Sequence, residues 1–182
     1  MMGLAPRRHT RPARRGGFTL VELITILVVV GVLAGVAAPR FFQRKGFDAV
    51  SYTDQVRALM RYGQKIAIAQ SRNVFVRLNG SSVALCYDGG CGAHVPSPGG
   101  ANTGTGVTLA GCAGDKTWAC EGAPNGLAIT AATFYFDPTG QPFAASDPLG
   151  GQNSTFVSLT VAVTGDGATH NVTVTPVTGY VF

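Results

Sequence analysis

Apolar positions along this chain follow three regimes. From Phe18 to Ala38 almost every residue is apolar, and one acid, Glu22, stands inside the run. From Pro39 to about Ser71 the apolar residues thin to helical spacing, clearest in Val56, Leu59, Met60 and Gly63. Arg57, Arg61, Lys65 and Arg72 fall largely on other faces. Together these regimes predict one helix from Phe18 to about Ser71, about 80 Å long at 1.5 Å per residue. Pro39 lacks an N–H and is expected to kink or locally open it.

Beyond Arg72 the period shortens to that of strands. Asn73–Leu78 and Val83–Tyr87 read as a hairpin around Asn79-Gly80. Asp88 to Gly126 reads as loop, with Trp118 and Val107–Leu109 as a small local core. Leu127–Phe136 reads as one strand that ends at Asp137-Pro138-Thr139-Gly140. Thr155–Thr164 and Thr169–Thr175 alternate Val and Thr around Asp166-Gly167, which puts Val on one face and Thr on the other. The expected fold class is α+β: a long N-terminal helix and a small, mostly antiparallel β head. The tail Val181-Phe182 suits either an edge contact with a neighbour or packing on its own head.

The formal charge of +5 belongs to the leader. Five arginines (Arg7, Arg8, Arg11, Arg14, Arg15) precede the apolar run, and residues 1–17 hold no acid. The remainder carries nine basic and nine acidic residues, so bulk charge does not imply nucleic-acid binding. Charged residues make up 13% of the chain, about half the usual share, which leaves few charges to cover a surface. Phe18 to Ala38 is 21 residues, about 31 Å as a helix, matching about 30 Å of bilayer hydrocarbon. The expectation is therefore a transmembrane half-helix at 18–38, with the basic leader on the cytoplasmic side and the head beyond the membrane. Gly31, Gly35, Ala34, Ala37 and Ala38 would let such helices approach closely.

An ordinary secretory signal ends in small residues after its apolar stretch. Here the small pair Gly16-Gly17 comes first, so a cut there leaves the apolar segment on the mature chain. The run RGGFTLVELI resembles the leader junction of type IV pilins and type II secretion pseudopilins. The resemblance implies cleavage after Gly17 by a prepilin peptidase/N-methyltransferase and methylation of Phe18. It also implies assembly roles for Phe18, Glu22 and Pro39, with Glu22 pairing the Phe18 ammonium of a neighbour or its own. Tyr52–Leu78 resembles minor pilins of the mannose-sensitive haemagglutinin (MSHA) class and minor pseudopilins, and FYFDPTGQP resembles a strand-turn of pseudopilin heads.

On that resemblance the chain divides into a cleaved leader (1–17), a transmembrane and filament-core helix (18–38), an amphipathic continuation (39–71) and a β-rich head (72–182). Its implied partners are other pilin or pseudopilin subunits, the prepilin peptidase, an inner-membrane assembly platform and inner-membrane lipid before assembly. The implied location is the bacterial inner membrane, single-pass with a periplasmic head, and then a fibre. The function expected is that of a minor pilin or pseudopilin. The alternatives are a type II secretion pseudopilin, a tip adhesin or DNA-binding subunit, and a plain single-pass anchor.

Cys86, Cys91, Cys112 and Cys120 lie within 35 residues. An exported head favours two disulfides, and three pairings are open, Cys86–Cys91 with Cys112–Cys120 being the local one. A zinc site using His94 lacks the close C-x₂₋₄-C knuckles of structural zinc at one of the two cysteine pairs. No phosphate-binding loop, nucleophile elbow or paired-carboxylate signature appears in the sequence, so no enzyme, metal or cofactor is expected. The basic stretch Arg57, Arg61, Lys65, Arg72 and Arg77 suits DNA, an acidic neighbour or plain solvation.

Overall fold

The computed structural model describes residues 18–182, with the side chains of residues 36–45 outside the description. The leader and Gly17 lie outside it. Two compact units divide between Arg40 and Phe41.

Helix α1 runs from Leu20 to Gln70. Pro39 lies within it and does not end the element. The helix stops at Ser71, whose φ of 49° lets the Arg72 N–H reach back to the Ala67 carbonyl at 3.1 Å.

The expected transmembrane half is corrected. Among the described residues no helix is long and apolar enough to cross a membrane. The apolar run with described side chains ends at Gly35 and contains Glu22, short of the about 20 apolar residues a span requires. The single-pass inner-membrane location and the lipid partner fall with it.

The second unit holds two antiparallel sheets. Five strands take the order β3-β2-β1-β5-β6: β1 is Val74–Leu78, β2 Ser82–Cys86, β3 Cys120–Gly122, β5 Ala132–Phe136 and β6 Pro142–Ala144. Three take the order β4-β7-β8: β4 is Ala128–Ile129, β7 Leu159–Thr164 and β8 Thr169–Val174. A short helix α2, Gly106–Gly111, lies in the stretch expected to be loop. The β1–β2 connection is built on Asn79, whose Oδ1 accepts the N–H groups of Ser81 and Ser82 while Gly80 supplies a φ of 95°.

Both faces of the larger sheet are buried, so its central strands do not alternate apolar with polar. Val74, Val76, Phe134 and Phe136 face a core shared with Tyr52, Val56, Leu59, Met60 and Ala67 of α1 and with Val161, Val163, Val172 and Val174 of the smaller sheet. Phe75 and Tyr135 point the other way, into a second cluster with Trp118, Phe143 and the cysteines. Gly63 lets α1 close on the sheet, since a Cβ there would stand 3.0 Å from Leu85.

Leu127–Phe136 is two strands in two sheets, not one. Thr130 breaks it by donating its N–H to the Ala162 carbonyl, which anchors the exit of β4 on β7. The Val/Thr hairpin pairs Val161 with Val172 and Thr160 with Thr173, with the valines inward. Val181 packs on its own head: it bridges Val174, and its carbonyl accepts two hydrogen bonds from Arg61 at 2.9 and 2.7 Å.

Phe134 is fully enclosed and meets Phe136 edge-on at 5.3 Å. Phe134→Ala is expected to destabilise the chain by about 3–5 kcal/mol, measured as a shift of the urea-unfolding midpoint at unchanged slope.

Candidate functional site

The first unit presents an apolar rod. Every described residue from Phe18 to Gly35 is exposed, with Phe18 at 75%. Thr19 caps the helix: its Oγ1 accepts the Glu22 N–H at 3.2 Å and its carbonyl accepts the Leu23 N–H at 3.1 Å. Glu22 therefore stands in the first turn, where the helix dipole favours a negative charge. The signal was present in Thr19-x-x-Glu22, the spacing of a capping box, and the sequence reading missed it. Thr25 turns its hydroxyl back onto the Val21 carbonyl at 2.8 Å, so even this polar residue shows a methyl to its surroundings. A Cβ on Gly31 or Gly35 would touch nothing, so the chain's own packing does not demand glycine there.

In the second unit the structure joins Cys86 to Cys91 and Cys112 to Cys120, with Cα separations of 5.1 and 5.8 Å. The bridged region is organised by carboxylates. Asp88, inside the first disulfide loop, accepts the N–H groups of Gly92 and Ala93 just beyond it. Asp115 accepts from Thr117 and pairs with His94 at 2.9 Å, while the His94 ring stacks on Trp118 at 3.8 Å. Trp118 donates its indole N–H to the Leu85 carbonyl at 2.7 Å. Glu121, nearly buried, takes the Thr103 N–H and the hydroxyls of Thr103 and Thr108. The buried Tyr52 hydroxyl donates to the Glu121 carbonyl at 3.4 Å and ties α1 to this loop. Burial, then the Glu121 charge, pushes the Tyr52 phenol above its ordinary value.

The other three acids of the head serve in the same way. Asp137 holds the turn after β5 through Thr139 and Gln141. Asp147 takes the N–H groups of Ala144 and Thr155 and the Thr155 hydroxyl. Asp166 holds the β7–β8 turn through Ala168 and pairs with His170 at 2.8 Å. Hydrogen bonds lower four of these carboxyls: His94 first at Asp115, to about 2; Gly92 first at Asp88; the Thr155 hydroxyl first at Asp147; His170 first at Asp166. Among the described residues no group of three or more His, Cys, Asp or Glu is placed to hold a metal ion.

The basic stretch does not form one patch. Arg57 pairs with Asp54, Arg61 is turned to the Val181 carbonyl, Arg72 lies 3.6 Å over the Tyr87 ring, and Arg77 stands apart on β1.

The model of the prokaryotic N-terminal methylation motif matches residues 12–38. A curated relative, the type IV narrow pilus major component PilA5 of Thermus thermophilus, is 33% identical over 61 residues. Those residues are 34% of this chain and 53% of the relative, so the chain spans about half the length of the curated relative it matches. Two crystal structures of the type IV minor pilin FimU of Pseudomonas aeruginosa superpose with TM-scores of 0.49 and 0.46 at 12% and 10% identity. They cover 78% and 72% of this chain and 90% and 89% of theirs, and at that likeness they carry no functional argument. The chain thus matches the methylation motif over residues 12–38 and is similar, over about a third of its length, to a type IV pilus component.

A lowered carboxyl stabilises the fold above its ordinary value, and that contribution is lost as the pH falls through its lowered value. For Asp115 the window runs from 3.8 down to about 2. Acid titration of native chain is expected to loosen the His94–Trp118 stack in this window, read as a change in Trp118 fluorescence. The Asp115→Asn variant is expected to lack that transition.

Proposed function

We propose that this chain is a minor pilin or pseudopilin, a structural subunit of a type IV pilus-like fibre. One observation carries the reading: a capped helix beginning at Phe18-Thr19 is apolar and exposed on every side directly after a methylation motif. A helix apolar all round is stable only when other protein or lipid covers it. Neighbouring subunits are the cover in this reading. Gly31 and Gly35, free of demands from their own chain, suit close approach of a neighbouring helix.

In this reading a prepilin peptidase/N-methyltransferase cuts after Gly17 and methylates Phe18, and an assembly platform delivers the subunit. Glu22 pairs with the Phe18 ammonium of a neighbour, and a misplaced subunit leaves that carboxylate unpaired. Residues 18–38 form the filament core, Pro39 and the rest of 39–71 carry the head, and 72–182 is the head surface. The narrower assignment to the MSHA class rests on Tyr52–Leu78 alone. A catalytic role has no support in the head, where each acid is committed to a turn, a loop or a histidine.

Intact-mass analysis of the chain from purified fibres is expected to show a start at Phe18 with one added methyl group. A start at Met1, or beyond Ala38, would sink the reading. Glu22→Val removes a charge partner whose loss in a buried pair costs about 3–5 kcal/mol. Incorporation into fibres is therefore expected to fall by more than about a hundredfold, while the unfolding midpoint of the head stays unchanged.

A further inference from the structure

We propose that the free edge of β8 at Thr169–Asn171, with the groove beside it, is a docking slot for an extended segment of a different fibre subunit, apolar at alternate residues. The inference rests on the fibre reading above and names the kind of contact one neighbour makes.

This edge is already half covered, by the chain's own tail. Thr173 donates its N–H to the Phe182 carbonyl at 2.8 Å and accepts the Phe182 N–H at 3.0 Å, and Thr175 donates to the Tyr180 carbonyl at 3.0 Å. Val181, between these two pairs, is buried against the core. A strand added here therefore pairs through its main chain and buries alternate side chains.

The period of a strand carries the same edge past the tail. Along an antiparallel strand, main-chain groups two residues apart point the same way. Asn171 and Thr169 thus send theirs out on the side where Thr173 meets Phe182. β7 agrees: Ala162, opposite Asn171, donates its N–H to Thr130 Oγ1 and accepts the Thr130 N–H on its carbonyl, both away from β8. Asn171 and Thr169 are exposed, and among the described residues no hydrogen bond takes these outward groups. No Lys, Pro or bulge blunts the stretch, as an edge that avoids pairing would have. From Thr173 to Thr169 is about 13 Å, room for about four further residues.

Helix α1 lies along the slot. Phe47, Val50, Asp54, Arg57 and Arg61 follow i, i+3, i+7, i+10 and i+14 and share one stripe. At one end of it Arg61 holds the Val181 carbonyl of the tail. At the other, Phe47, 78% exposed, and Val50 line an open groove of about 530 Å³ with Gly46, Asp166 and His170. Between them Arg57 and Asp54 pair with each other, and Asp166 is engaged by His170. The slot therefore offers main-chain partners along its wall and an apolar, charge-balanced floor at its open end. An extended peptide with apolar alternate residues answers both. A helix has spent its amides within itself, and a phosphate backbone has no N–H groups and no use for Phe47. A second copy bringing its own β8 edge would close a pair and not extend a fibre.

The test places a photo-crosslinking phenylalanine derivative at Phe47 of the full chain in fibre-producing cells and identifies the captured peptide by mass spectrometry. The expected product is a peptide of another fibre subunit with apolar residues at alternate positions. Asn171→Pro removes the outward N–H, a change tolerated on an edge strand, and is expected to cut capture about tenfold or more. Asn171→Thr keeps that N–H and is expected to leave capture unchanged. In the unaltered chain, the amides of Thr169 and Asn171 are expected to exchange hydrogen about tenfold or more slowly in purified fibres than in the detergent-solubilised monomer. This second measurement needs no variant to fold. Capture of this chain alone, of a helical segment or of nucleic acid would overturn the slot. So would capture indifferent to Asn171→Pro, or equal exchange in fibre and monomer. A chain methylated at Phe18 that gives any of those results leaves the fibre reading standing. An unprocessed chain overturns that reading and this inference together.

Discussion

A carboxylate oxygen that accepts backbone N–H groups across a tight turn is the interaction on which the head depends. It recurs at Asp88, Asp137, Asp147 and Asp166, and Glu121 and Asp115 extend it to hydroxyls and a histidine. Buried or half-buried loops must satisfy their own amides. This chain is poor in charge and rich in Gly, and it uses nearly every acid of the head for that purpose. The two sheets supply the core. The acids decide how the connections between strands are held, and so which surface the head presents.

Much of the fold was legible because it is local. The helix end near Gln70, the β1–β2 hairpin at Asn79-Gly80 and the Val/Thr hairpin all follow from short-range pattern and turn chemistry. What escaped the sequence depends on distant partners. β5 lies in a different sheet from β4 because the Thr130 backbone is claimed by Ala162, a residue 32 positions away. β3 and α2 were hidden in a Gly-rich stretch whose order comes from Glu121 and its threonines. The strongly apolar β1 and β5 looked like ordinary strands, and nothing local told that both their faces would be covered.

The assembly segment shows the same division. The Gly17–Phe18 junction and Glu22 stood out as a motif, while the Thr19 cap, equally readable, went unnoticed beside it. The membrane expectation failed on length: a continuous apolar stretch in sequence did not become a described helix of spanning size. The charge count misled in another way. A net of zero beyond the leader says nothing about which acids are engaged by their own loops, as the six from Asp88 to Asp166 are.

The two cystines close loops of only 5 and 8 residues in sequence separation. Short rings remove little freedom from a denatured chain, roughly 2 kcal/mol each on the entropy model and at the low end for such bridges. Their main service is therefore contour. The ends of each ring are thereby fixed, while Asp88 in the first and Asp115 and Trp118 in the second hold its interior against the sheet beneath.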